Sequence, residues 1–178
     1  MIPISALSAT IEELIRAGHS PAHTLNQVVE YVGTALKADR CFLYVRQPDQ
    51  GQGRTAFCWR KNGAIPDKNT IQPNWQVDTN ELPAEDPLIR AGLTMKPSAY
   101  VDDVETAGPQ VLNRQFERET FGHRALIHAH IQFENQLWGI LQPCMFGTPR
   151  HWTEAERKQI EAILPLLQPV IAAYVTSG

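Results

Sequence analysis

Residues Phe121 to Trp152, FGHRALIHAHIQFENQLWGILQPCMFGTPRHW, decide the fold. Ala125 to Phe133 alternates small or apolar residues with histidine and polar ones, the period-2 pattern of a strand with two different faces. Glu134-Asn135 supplies a two-residue turn, because Asn tolerates the positive φ such a turn demands. Gln136 to Met145 then returns as the partner strand. With this turn, Ile131 is expected opposite Trp138 and Ala129 opposite Ile140. One face then carries Ala125, Ile127, Ala129, Ile131, Phe133, Trp138 and Ile140, suited to close helix packing. The other carries Leu126, His128, His130, Gln132, Leu137 and Met145, suited to a pocket floor.

Working outward, Thr153 and Glu156 form a capping box that opens a final helix, and its apolar face runs from Ile160 to Tyr174. Pro165 and Pro169 are expected to interrupt and kink that helix. At the other end, Leu7, Ile11, Leu14 and Ile15 mark an amphipathic helix over 5–17. Ser20-Pro21 starts a second helix, with the stripe Leu25, Val28, Val29, Val32 and Leu36. Arg40 to Gln47 and Arg54 to Arg60 flank a Pro/Gly turn and predict another hairpin. Residues 61–96 read mostly as a long, proline-broken loop, a lid candidate, with one helix start at Asp86-Pro87. Pro97 to Asp102 is a short strand and 109–120 a surface helix. This order predicts an α+β fold: an antiparallel sheet of about five or six strands, terminal helices on one face, loops and a pocket on the other.

The chain has 178 residues, 43% hydrophobic residues and a formal charge of −3. One domain is expected, with residues 1–19 an N-terminal helix offering a dimer contact and 20–178 the domain proper. A pI near 6.1 without a basic run gives nucleic acid little to bind. Apolar runs fall short of the roughly 18 residues of a membrane span, so no membrane association is expected. Three cysteines, Cys41, Cys58 and Cys144, lack metal-ligand spacing and suit a reducing cytoplasm.

Several of these segments together resemble a GAF domain, and more narrowly the phytochrome and cyanobacteriochrome subtype. The resemblance rests on the strand after Arg124-Ala125, on Leu137-Trp138-Gly139-Ile140-Leu141, and on Pro149-Arg150-His151-Trp152-Thr153. Ala38-Asp39-Arg40-Cys41, Asp86-Pro87-Leu88 and Val101-Asp102-Asp103-Val104 add to it, so that it spans roughly residues 20 to 175. It implies a six-stranded antiparallel sheet with a small-molecule pocket on the face away from the terminal helices. In bilin-binding relatives a Cys-His pair attaches the tetrapyrrole; those positions fall at about Asn113 and Arg114. No cysteine lies between Cys58 and Cys144, so covalent bilin is not expected, whereas non-covalent tetrapyrrole remains open. A late histidine of those relatives falls at about Met145, and their propionate contacts at about His128 and His130.

The candidate ligand-binding residues are therefore His123, His128, His130, Gln132 and Met145, with no metal set and no catalytic set. His128 and His130 share a face and suit plain hydrogen bonding, an anionic organic ligand, or a metal or haem. The cysteines invite comparison with GAF enzymes that reduce methionine sulfoxide, but all three read as buried strand residues. The expected function is a non-catalytic, cyanobacterial-type regulatory or sensory protein. It would bind a small molecule or a protein partner and form a homodimer through its terminal helices. The alternatives are a structural dimerisation module with a filled pocket, or a haem, metal or thiol redox sensor. A kinked last helix would favour a self-standing or docking domain over one wired rigidly to an output.

Overall fold

The computed structural model of the chain describes residues 2–67, 72–79 and 81–177. Its centre is one antiparallel sheet of six strands in the order β3-β2-β1-β6-β5-β4. The strands are β1 (Arg40–Gln47), β2 (Gln52–Arg60), β3 (Gln76–Val77), β4 (Ala99–Val101), β5 (Ala125–Phe133) and β6 (Gln136–Met145). Helices α1 (Leu7–Arg16), α2 (Pro21–Ala35) and α6 (Glu154–Thr176) cover one face. Short helices α3 (Glu81–Glu85), α4 (Pro87–Leu93) and α5 (Arg114–Thr120) lie toward the other. The expected α+β architecture is observed.

Local chemistry explains the boundaries. Ser20 Oγ accepts from the His23 amide at 3.2 Å at the start of α2, with Pro21 in the first turn. The Leu25, Val28, Val29 and Val32 stripe is buried against the sheet, together with Leu7 and Ile11 of α1. Asp86 caps α4, and Asn113 Oδ1 accepts from the Phe116 amide at 3.1 Å, so α5 begins later than the sequence pattern suggests. The segment read as a long loop also holds β3 and α3.

The β5–β6 hairpin turns at Glu134-Asn135 with both residues at positive φ, as expected. Its register is different. Ile131 lies opposite Gly139 and Ala129 opposite Leu141, because a bulge inserts one extra residue at Trp138. Beyond the bulge every β6 side chain changes face. Leu141 and Met145 join the helix side, where Met145 pairs with Ala125. Ile140, Gln142 and Cys144 face the other way. The expectation that Met145 belongs to the pocket is therefore corrected. Gly139 is required at the crossing. A Cβ there would lie 2.8 Å from the Tyr44 carbonyl oxygen and 3.0 Å from Ile171 Cδ1.

A second correction concerns α6, which runs unbroken through Pro165 and Pro169. Both prolines are exposed and four residues apart, so they share one solvent-facing side. The carbonyls left without their helical donors, those of Glu161 and Pro165, lie on that same side, where water can replace the missing bonds. The capping box is present: Thr153 Oγ1 accepts from the Glu156 amide at 3.2 Å, and the Thr153 amide donates back to Glu156 at 3.0 Å. By length and composition alone α6 could cross a bilayer. Its Ile160, Ile163, Leu164, Leu167 and Ile171 are instead buried in the domain core.

Candidate ligand cavity

On the face away from α1, α2 and α6, the sheet forms the floor of a cavity of about 280 Å³. Phe42 and Tyr44 enter from β1, Thr55 from β2, His128 from β5, and Ile140 and Gln142 from β6. The roof is made by Asp86 and Ile89 at the start of α4 and by Phe116, Thr120 and Phe121 of the α5 region, with Gln72 at the side. The β1 alternation places these residues: Cys41, Leu43 and Val45 point to the helix core, leaving Phe42 and Tyr44 for the cavity. Phe121 stacks on Phe42 with ring centres 5.8 Å apart, and Phe116 meets Phe121 edge-on. No lysine or arginine lines this cavity among the described residues.

The five sequence candidates separate. His128 lines the cavity. His130 is buried beside it, with its Nε2 2.8 Å from His128 Nδ1 and its own Nδ1 3.0 Å from the Lys96 carbonyl oxygen. Gln132 Nε2 donates to the carbonyls of Gly92 and Lys96, both at 3.0 Å, and so ties the end of α4 to the same strand. Gly92 makes the approach possible, since a Cβ there would press on Leu137 at 3.2 Å and on the His130 ring. His123 stands one ring behind the cavity: Phe121 stacks on it at 5.2 Å. Met145 is on the other face of the sheet, where its sulfur accepts from Arg150 at 3.5 Å.

Burial sets the electrostatics. It drives the His128 imidazole well below its usual value, with His130 and His123 adding to the shift, and it lowers His130 too. Asp86 is pushed up to about 7 by burial and by the nearby Glu117, although its Oδ1 accepts from the Leu88 amide at 3.0 Å. Glu117, fully buried, is raised to about 8 by burial. It lies 2.6 Å from His123 Nε2, while Glu117 Oε1 and His123 Nδ1 have no hydrogen-bond partner among the described residues. The two side chains form a contact sealed from solvent.

A profile of the GAF domain family matches residues 20–167. The chain belongs to the GAF family. This is a family of regulatory and sensory ligand-binding domains, generally without catalytic activity. The fold of this GAF domain is similar to that of a GAF domain from an Acinetobacter phosphoenolpyruvate-protein phosphotransferase. There the identity is 15% and the TM-score 0.70, over 97% of this chain and 94% of that one. It is equally similar to the phycoerythrobilin-bound GAF domain of a cyanobacterial phytochrome, at 18% identity and TM-score 0.73, over 99% and 98% of the two chains. The photoproduct state of a Synechocystis GAF domain is 25% identical, with TM-score 0.67 over 89% of this chain and 98% of that chain. No curated protein matches the chain.

The positions that the phytochrome resemblance assigns to bilin attachment lie outside the sheet cavity. Asn113 caps α5, and the Arg114 guanidinium donates to the Ala107 carbonyl at 3.1 and 3.2 Å. Both line an open cleft of about 630 Å³ between α4 and α5. Cys41 and Cys144 are buried as expected, whereas Cys58 is only half-buried, and no cluster of three or more metal-ligating side chains occurs among the described residues. Sequence reasoning did not single out Phe42, Tyr44, Ile140, Gln142 or Phe121 as cavity residues. For β1 the alternation held the signal, whereas for β6 the bulge hid it.

Proposed function

We propose that this GAF domain is a non-catalytic, cytoplasmic regulatory module that binds a small molecule in the sheet cavity without covalent bilin. The observation that carries this reading is the cavity itself: aromatic and aliphatic walls converge on a few polar groups, His128, Gln142 and Asp86. Its volume of about 280 Å³ falls just below the roughly 300–1,000 Å³ of drug-sized sites, so a small ligand fits best. A linear tetrapyrrole, with two propionates to neutralise, suits neither that volume nor a lining that holds no Lys or Arg among the described residues. A homodimer through α1 and α6 belongs to the same reading. Ala162, Pro165, Pro169 and Ala173 leave an exposed, uncharged stripe on α6.

Native mass spectrometry and an absorption spectrum of the protein, made with and without tetrapyrrole co-synthesis, test it. A retained small mass without a visible band is expected. A visible band that survives denaturation would overturn the exclusion of covalent bilin, and a ligand-free mass with melting unmoved by any small molecule would sink the binding role. Sedimentation over a concentration series checks the dimer.

A further inference from the structure

The hydrogen-bond chain behind the cavity fixes which atom a ligand meets. The Lys96 carbonyl can only accept, so His130 Nδ1, 3.0 Å away, carries a proton. In a neutral ring His130 Nε2 is then a lone pair, and His128 Nδ1, 2.8 Å from it, must donate. That assigns the proton of His128 to Nδ1 and leaves Nε2 as a bare acceptor. Nε2 has no hydrogen bond to any described residue, and it belongs to the one histidine that lines the cavity. Burial of both rings opposes the charged alternative, in which a His130 imidazolium would donate from Nε2 to His128 Nδ1 and leave the His128 proton on Nε2.

The size and lining complete the requirement. A dry cavity of about 150 Å³ holds one benzene ring, so one of about 280 Å³ holds one or two fused rings. The near-parallel Phe42 and Phe121, at 18°, give flat apolar walls. No cationic side chain lines the cavity among the described residues, so its lining favours an uncharged ligand over a carboxylate or phosphate.

We infer that the cavity selects an uncharged planar molecule of one or two rings that presents an N–H or O–H donor to His128 Nε2. This rests on the cavity being the binding site proposed above. His130 is the positioning residue that holds the acceptor form, and Gln132 anchors the shared Lys96 carbonyl.

Indole, 1-methylindole and indole-3-carboxylate probe this by calorimetry on the full chain. Indole is expected to bind about tenfold tighter than 1-methylindole, the cost of leaving a buried acceptor unpaired. The carboxylate is expected to bind weakest, and the tenfold preference to vanish in His128→Phe, whose fold is checked by its amide spectrum. Ring-nitrogen shifts of the wild type give a test that no variant can confound. They should show His128 protonated at Nδ1, with Nε2 moved by indole and not by 1-methylindole. Equal binding of the two indoles, a preference that persists in His128→Phe, or His128 protonated at Nε2 each overturns the inference and leaves a binding cavity standing. If no ring binds up to its solubility limit the inference also falls. Native mass spectrometry then decides separately whether the cavity holds any other molecule.

Discussion

His128 and His130, two residues apart on β5, meet ring to ring: Nδ1 of the first lies 2.8 Å from Nε2 of the second, with the ring planes at 83°. Same-face neighbours on a strand ordinarily run side by side. Here the perpendicular arrangement turns them into a donor-acceptor relay that ends on the Lys96 carbonyl.

Breaking that relay should cost stability. His130→Leu strands the His128 Nδ1–H and removes one of two donors to Lys96. A loss of about 1–3 kcal/mol in urea denaturation is expected, the usual penalty for an unpaired buried polar group. A change within experimental error would mean that water completes the chain.

Stability should fall as pH rises through neutrality. Asp86 and Glu117 keep their protons in the fold to about 7 and about 8, whereas their ordinary values are 3.8 and 4.5. The folded state then binds more protons than the unfolded one, so the unfolding free energy drops as pH climbs toward 8. The two histidines act oppositely: they stay neutral in the fold, so they cost stability only as pH falls below 6.5. Between pH 6.5 and 8, therefore, the acids dominate. Denaturation midpoints should decline across that window in the wild type and decline less in Glu117→Gln. A flat or rising wild-type profile would refute the assignment.

Gly139 has no room for a side chain. Gly139→Ala would press a methyl group onto the Tyr44 carbonyl and Ile171, pushing β6 off β1 and α6. A destabilisation of about 1–3 kcal/mol is expected, as for other overpacked sites. An unchanged melting temperature would show that the strand yields freely.

The α6 prolines leave a gain unclaimed. Replacing exposed Pro165 or Pro169 with Ala restores one helical donor each without touching the core. Each change should raise stability, by up to about 3 kcal/mol if the interior-helix penalty applies in full. A lowered melting point would mean that the helix is shaped by its prolines and needs that shape to fit the sheet.

Much of this molecule was legible in residue order. The caps at Ser20, Asp86 and Thr153 and the turn at Glu134-Asn135 are short-range chemistry, and all four stand where the pattern put them. The helix stripes and β1 alternation were equally readable, because one side of each element is buried in the main core. The pocket was harder. On β6 both faces are buried, so the alternation Trp138/Ile140 and the alternation Gly139/Leu141 are both apolar, and no pattern can choose between them. The bulge at Trp138 made that choice and moved Met145 away while bringing Ile140 and Gln142 in. Likewise the sequence paired His128 with His130 on one face by period alone. Only the approach of the Lys96 carbonyl from the end of α4, a contact 34 residues away in the chain, decides where their protons sit. The sequence by itself determined the main elements, the capped helix starts, the hairpin turn and the family. The tertiary structure decided the register, the cavity lining and the free nitrogen at its floor, since each depends on long-range contacts that local pattern does not encode.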